Sequence, residues 1–87
     1  MRQNTQKAFT AWNAGRNYRA PGRNGSPIWT DGRTIYSYST PIVQRPDEAS
    51  QPVLLNVSKY SVTTSQQQNG LRNLLTLSGI RFTEIDL

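Results

Sequence analysis

The sequence predicts an α+β fold in which a small antiparallel sheet, a hairpin plus one or two further strands, packs with two short helices. Three observations predict it. Apolar residues recur at helical spacing near both ends of the chain, Asp31-Gly32 separates two β-rich runs, and Val53, Leu55 and Val57 alternate. With 87 residues there is room for a single domain over 1–87 and a small core.

Ala8, Phe9 and Trp12 follow Asn4 and Thr5, either of which suits an N-cap, and Gly15 stands where a helix would stop. A first helix over about 5–14 is expected, with Phe9 and Trp12 inward and Gln6 and Lys7 outward. Residues 16–25 contain Pro21-Gly22 and Asn24-Gly25 and no apolar period, which reads as an exposed loop. Ser26–Thr30 and Arg33–Ser39 flank Asp31-Gly32, the signature of a two-residue hairpin turn. That register sets Trp29 opposite Thr34 and diagonal to Tyr36, with Trp29, Tyr36 and Tyr38 on one face.

Pro41 interrupts the ladder, so Ile42-Val43-Gln44 either continues an edge or forms a separate short strand. Residues 45–52 lack any apolar period and read as the longest loop. Residues 53–60 alternate and are expected to be the central strand. Thr64-Ser65-Gln66-Gln67 fits a capping box that would start a second helix, with Leu71, Leu74 and Leu75 as its buried stripe and Gly79 as its stop. Gly70 weakens that helix by roughly 1 kcal/mol relative to alanine. Residues 80–87 read as a terminal strand.

Composition narrows the function. Apolar residues make up 34% of the chain and charged residues 17%, both below average, so the core is modest and a homo-oligomer would offer it extra burial. The chain has neither cysteine nor histidine. Disulfides and thiolate metal sites are excluded, as are the Ser-His and Cys-His dyads and the commonest zinc ligands. No catalytic constellation or cofactor is expected. No apolar stretch follows the N-terminus and none reaches the roughly 20 residues of a membrane span, so no membrane partner is expected and the location is read as intracellular. Asn56-Val57-Ser58 matches the glycosylation pattern, a coincidence in that setting.

The net charge is +5, and it is unevenly placed. Residues 1–45 hold seven basic residues and one acidic residue, Asp31, whereas residues 46–87 hold three basic and four acidic ones. An electropositive first half favours an anionic partner, either nucleic acid or an acidic protein face.

Arg16, Tyr18, Arg19 and Arg23 form the first candidate binding set, with arginines to straddle phosphates and Tyr18 to stack on a base. Trp29, Tyr36 and Tyr38 could form a stacking platform or half the core; the reading favours core for Trp29 and leaves Tyr38 open. Thr63, Thr64 and Ser65, with Lys59 upstream, could form an anion site, although capping explains the hydroxyls. Glu84 and Asp86 read as solvated terminal charges. Ser58-Lys59 fails as a nucleophile pair, because adjacent strand residues face opposite sides.

The run Thr30–Ile42 (TDGRTIYSYSTPI), followed by Asn56–Asn69 (NVSKYSVTTSQQQN), resembles small accessory proteins of tailed bacteriophages and their actinobacterial or plasmid relatives. The likeness covers residues 28–72 and departs at Gln67, where histidine is expected. It implies a phage-type context, the bacterial host cytoplasm and no assigned activity. Proteins of this kind act by binding: some inhibit host defence in an anti-CRISPR-like way, and others recognise nucleic acid. The expectation is thus a non-enzymatic binder that inhibits or modulates a host protein or nucleoprotein complex through its electropositive half; the alternative is direct DNA or RNA binding. Arg16, Tyr18, Arg19, Arg23, Tyr38 and Lys59 are the expected contacts.

Overall fold

The computed structural model describes residues 3–21 and 27–86. Two helices and a six-stranded mixed sheet form the expected α+β fold, with more strands than the sequence suggested. The elements are α1 (Gln3–Asn13), β1 (Tyr18–Arg19), β2 (Trp29–Thr30), β3 (Thr34–Ser37), β4 (Thr40–Gln44), β5 (Val53–Asn56), α2 (Val62–Leu77) and β6 (Phe82–Ile85). Strand order in the sheet follows chain order. All pairings are antiparallel except β5–β6, where α2 carries the chain back to a parallel neighbour.

Both helices end as glycine allows. Gly15, at φ +72°, lets the Arg16 N–H reach the Ala11 carbonyl at 2.8 Å and its own N–H reach Trp12 at 3.0 Å. Gly79, at φ +69°, repeats this with Ile80 to Leu75 at 3.0 Å and its own N–H to Thr76 at 3.1 Å. Each is a Schellman motif, which satisfies the last carbonyls of its helix.

The start of α2 differs from the capping-box expectation. The N-cap is Ser61, three residues earlier; its hydroxyl accepts from the Thr64 N–H at 3.1 Å. Thr64 is instead buried, its hydroxyl bonded to Ser37 Oγ at 3.0 Å and to Ser61 Oγ at 3.1 Å. These hydroxyls therefore serve capping and helix-to-sheet attachment.

The core lies between the helices and one face of the sheet. Alternation and pairing put Thr30, Ile35, Val43 and Leu55 on that face, all buried, against Ala8, Phe9 and Trp12 of α1 and Leu71 and Leu75 of α2. Ala20 and Ile28 complete it from the ends of β1 and β2.

Four expectations are corrected. Tyr18 and Arg19 are a strand, so the loop over 16–25 is interrupted; of its remainder, residues 22–25 lie outside the described set. Four residues, 31–34, separate the last β2–β3 pair, Thr30 with Ile35, instead of two, because the Asp31 carboxylate accepts from the Arg33 and Thr34 N–H groups ahead of it, both at 2.9 Å. The register moves accordingly, Trp29 pairs directly with Tyr36, and both sit on the face away from the helices, outside the core. Tyr38 leaves that face, since it occupies the β3–β4 turn at φ +56°. Finally, β5 is the fifth strand, and β3 and β4 occupy the centre. Pro41 is accommodated in β4 because the ladder slips there, with Ile42 as the extra residue of a bulge. Residues 45–52 connect β4 to β5.

Candidate polyanion-binding edge

β1 is an edge strand of two residues, and two grooves adjoin it. On the helix side a groove of about 490 Å³ is lined by Lys7 and Thr10 of α1 and by Arg16, Asn17 and Tyr18. On the other side a groove of about 320 Å³ shares Asn17 and Tyr18 and adds Arg19, Trp29 and Asp31. Three cations, Lys7, Arg16 and Arg19, thus surround one short strand. All three are exposed.

None of the three cations is in an ion pair among the described residues. Among the described residues the ion pairs are Arg33–Asp47 and Arg72–Glu84, and neither reaches β1. Asp86 is held by the Ser58 hydroxyl, and Glu48 lies in the 45–52 loop. Asp31 borders the second groove as an anion, its carboxylate accepting from two backbone N–H groups, so three cations face one carboxylate around this edge.

The Thr34 N–H, followed by that of Arg33, holds the Asp31 carboxyl below its ordinary range, since both bonds favour the charged form. A depressed folded-state pKa contributes stability that is fully present above the unfolded value, about 4, and is lost as the pH falls through the folded value. Asp31→Asn should therefore be less stable than the parent at neutral pH. The two should converge in urea titrations as the pH drops below about 4; a constant gap down to acid pH would show that the charge of Asp31 contributes nothing.

A third concavity, beneath the 45–52 loop, carries Arg33, Arg45 and Arg81, and there the guanidinium groups are engaged. Arg33 pairs with Asp47, and Arg81 donates to the Ser50 carbonyl at 2.6 Å. Arg45 lies 4.7 Å above the Trp12 ring and donates to the Trp12 carbonyl at 2.6 Å. No such partner holds the side chains of Lys7 or Arg16 among the described residues.

On the open face a row crosses four strands: Arg19, Trp29, Tyr36 and Pro41. The Trp29 and Tyr36 rings stack at 4.1 Å and 11°, and the Arg19 guanidinium lies 4.7 Å from the Trp29 centroid. Trp29 Nε1 donates to the Tyr38 carbonyl, which ties the β3–β4 turn to β2.

The structure separates the residues that sequence reasoning grouped. Tyr18 turns toward the helices, packs on the core and donates its hydroxyl to Asn4 Oδ1 at 3.2 Å, so its ring is not free to stack on a base. Arg19, next along the strand, faces the opposite way. Tyr38 is half exposed at the turn, and Lys59 is exposed in the β5–α2 connection. Register places Arg19, Tyr38 and Lys59 at one end of the sheet and Arg16 toward the other. Arg23 lies outside the described residues.

Comparison with known protein families, curated proteins and solved structures finds no match. Lys7 was not among the expected contacts, although it was legible as the outward charge of α1; Trp29 and Tyr36 were weighed as a stacking platform, and their direct pairing needed the true length of the Asp31 turn. Asn56 explains part of the second motif, since its Nδ2 donates to the Pro41 carbonyl at 2.9 Å and to the Tyr60 hydroxyl at 3.0 Å. Gln68 Nε2 donates to the carbonyls of Asn56 at 2.7 Å and Ser58 at 2.9 Å, pinning the segment that presents Lys59. Gln67 is buried and donates to the Pro27 carbonyl at 2.9 Å, which fixes the approach to β2.

Proposed function

We propose that this chain is a non-catalytic binding protein whose partner is a single-stranded nucleic acid, held along the β1 edge. The supporting observation is the cluster of Lys7, Arg16 and Arg19 around one edge strand, three cations against the single carboxylate of Asp31 and none of them in an ion pair among the described residues. Exposed cations of this kind release counterions when they meet phosphates, and arginine adds bidentate geometry. The Arg19–Trp29–Tyr36 row supplies planar groups beside them, which favours unpaired bases over duplex. The lack of histidine and cysteine argues against catalysis.

Fluorescence anisotropy with labelled single- and double-stranded oligonucleotides at several salt concentrations tests this reading. Binding is expected to prefer single strands and to weaken log-linearly with salt. The combined Lys7→Ala, Arg16→Ala and Arg19→Ala variant should lower the slope by about two units, at roughly 0.7 for each phosphate no longer neutralised. Absence of binding at low salt would sink the proposal.

A second reading keeps the binding role and makes the partner an acidic face of a host complex, as for a phage-type inhibitor. Its support is a different surface: Tyr38 and Tyr60 are each about half exposed at 49% and 48%, and Lys59 adjoins Tyr60. Exposed tyrosines are enriched in protein interfaces. Capture of a host complex that survives nuclease treatment and is abolished in Tyr38→Ser would favour it.

A further inference from the structure

The indole of Trp29 is covered on both sides. Because β2 lies between β1 and β3, Tyr36 covers one face and Arg19 the other. The two covers are not equivalent. Tyr36 is half-buried within an interior strand, and the Trp29 ring is fixed against it by the bond from Nε1 to the Tyr38 carbonyl. Arg19 is exposed on the outermost strand and, among the described residues, its guanidinium makes no hydrogen bond or ion pair.

We propose that Arg19 is a displaceable cap, and that an unpaired base of a single-stranded nucleic acid takes its place on the outer face of the Trp29 indole. An exposed cation–π contact holds less strongly than a base stacks on an aromatic ring, so exchange favours the base. Among the described residues no strand lies beyond β1 to block entry, and the groove lined by Asn17, Arg19, Trp29 and Asp31 opens there. The displaced guanidinium remains beside the inserted base, where its planar fork can take the adjoining phosphate. A duplex cannot supply this base without unstacking it. This subsite rests on the function proposed above.

The two tryptophans make the test specific. Trp12 is buried, at 1% exposure, and serves as a silent reference, whereas Trp29 is partly accessible. The full chain is titrated at low salt with an oligothymidine of about ten nucleotides and with an abasic strand of equal length, which keeps the phosphates and removes the bases. Oligothymidine should quench Trp29 emission and bind about tenfold more tightly than the abasic strand, an advantage that Trp29→Leu removes. In the free protein, Arg19→Ala should raise acrylamide quenching of Trp29; this second measurement needs no ligand and touches only an exposed edge residue. Equal affinity for both strands with unchanged Trp29 emission would overturn base insertion and leave polyanion binding standing. Unchanged acrylamide access in Arg19→Ala would show that the indole was never capped. Failure of both strands to bind would remove the proposed function, and this subsite with it.

Discussion

Trp12→Ala is expected to destabilise the protein by about 3–5 kcal/mol, the usual range for deleting a fully buried large aromatic side chain. Trp12 joins three parts of the molecule. Its ring packs 5.7 Å from Phe9 within α1, its Nε1 donates to the Arg33 carbonyl at 2.8 Å, and its outer face carries Arg45. The substitution would leave a cavity, an unpaired carbonyl and a guanidinium without its ring. A chain of this length has roughly 4–13 kcal/mol of total stability at typical per-residue values, so the loss is a large fraction of the whole. Urea unfolding monitored by circular dichroism would measure the loss. Trp12→Phe should lose less, because most of the packing remains; equal loss in both variants would assign the effect to the Nε1 hydrogen bond.

Gly32→Ala is expected to rank second, at about 2–4 kcal/mol, combining a left-handed backbone penalty of about 1–2 kcal/mol with a steric clash. Gly32 has φ +92°, and a Cβ there would lie 2.8 Å from the Gly15 carbonyl oxygen and 2.9 Å from its carbon. The obstacle is backbone, so it cannot yield by rotating a side chain. The β2–β3 turn and the end of α1 would have to separate, which would also shift Arg16, the next residue after Gly15. Gly15→Ala is the informative comparison: it has a similar positive φ, 72°, but no atom within 4 Å of an added Cβ. It should lose only the conformational part. Equal losses at both positions would show that the close approach contributes nothing.

These two positions show what the sequence discloses and what it withholds. Phe9 and Trp12 as core, Gly15 and Gly79 as helix stops, and Leu71 and Leu75 as the buried stripe of α2 were all legible, because each follows from a local period or a backbone requirement. The length of the Asp31 turn was not. Asp-Gly suits a two-residue turn, but the Asp31 carboxylate bonds forward to residues 33 and 34 and widens it. That difference moved Trp29 and Tyr36 into direct register. It also took Tyr38 off the strand and into the following turn.

The candidate site was legible in charge but not in shape. An electropositive first half was plain from counting, yet the arginines were grouped by nearness along the chain. A strand at Tyr18–Arg19, too short to show a period, points those neighbours to opposite sides. Tyr18 became a packing residue, and Lys7, in the middle of α1, joined Arg16 across a groove. The start of α2 was misplaced for a related reason. Ser61 and Thr64 both suit an N-cap, and only the contact of Thr64 with Ser37 in β3 decides between them.

A sheet whose spatial order repeats its order along the chain has a kinetic corollary. Every strand from β2 to β5 can be added to the one made just before it by closing a loop of nine residues or fewer, and only β6 must wait for a helix to form. Such locality lowers contact order, and the protein should refold faster than β-rich domains of similar size whose strands pair across the chain. The last step to complete would then be the docking of β6 beside β5, at the border of the sheet opposite the cationic edge.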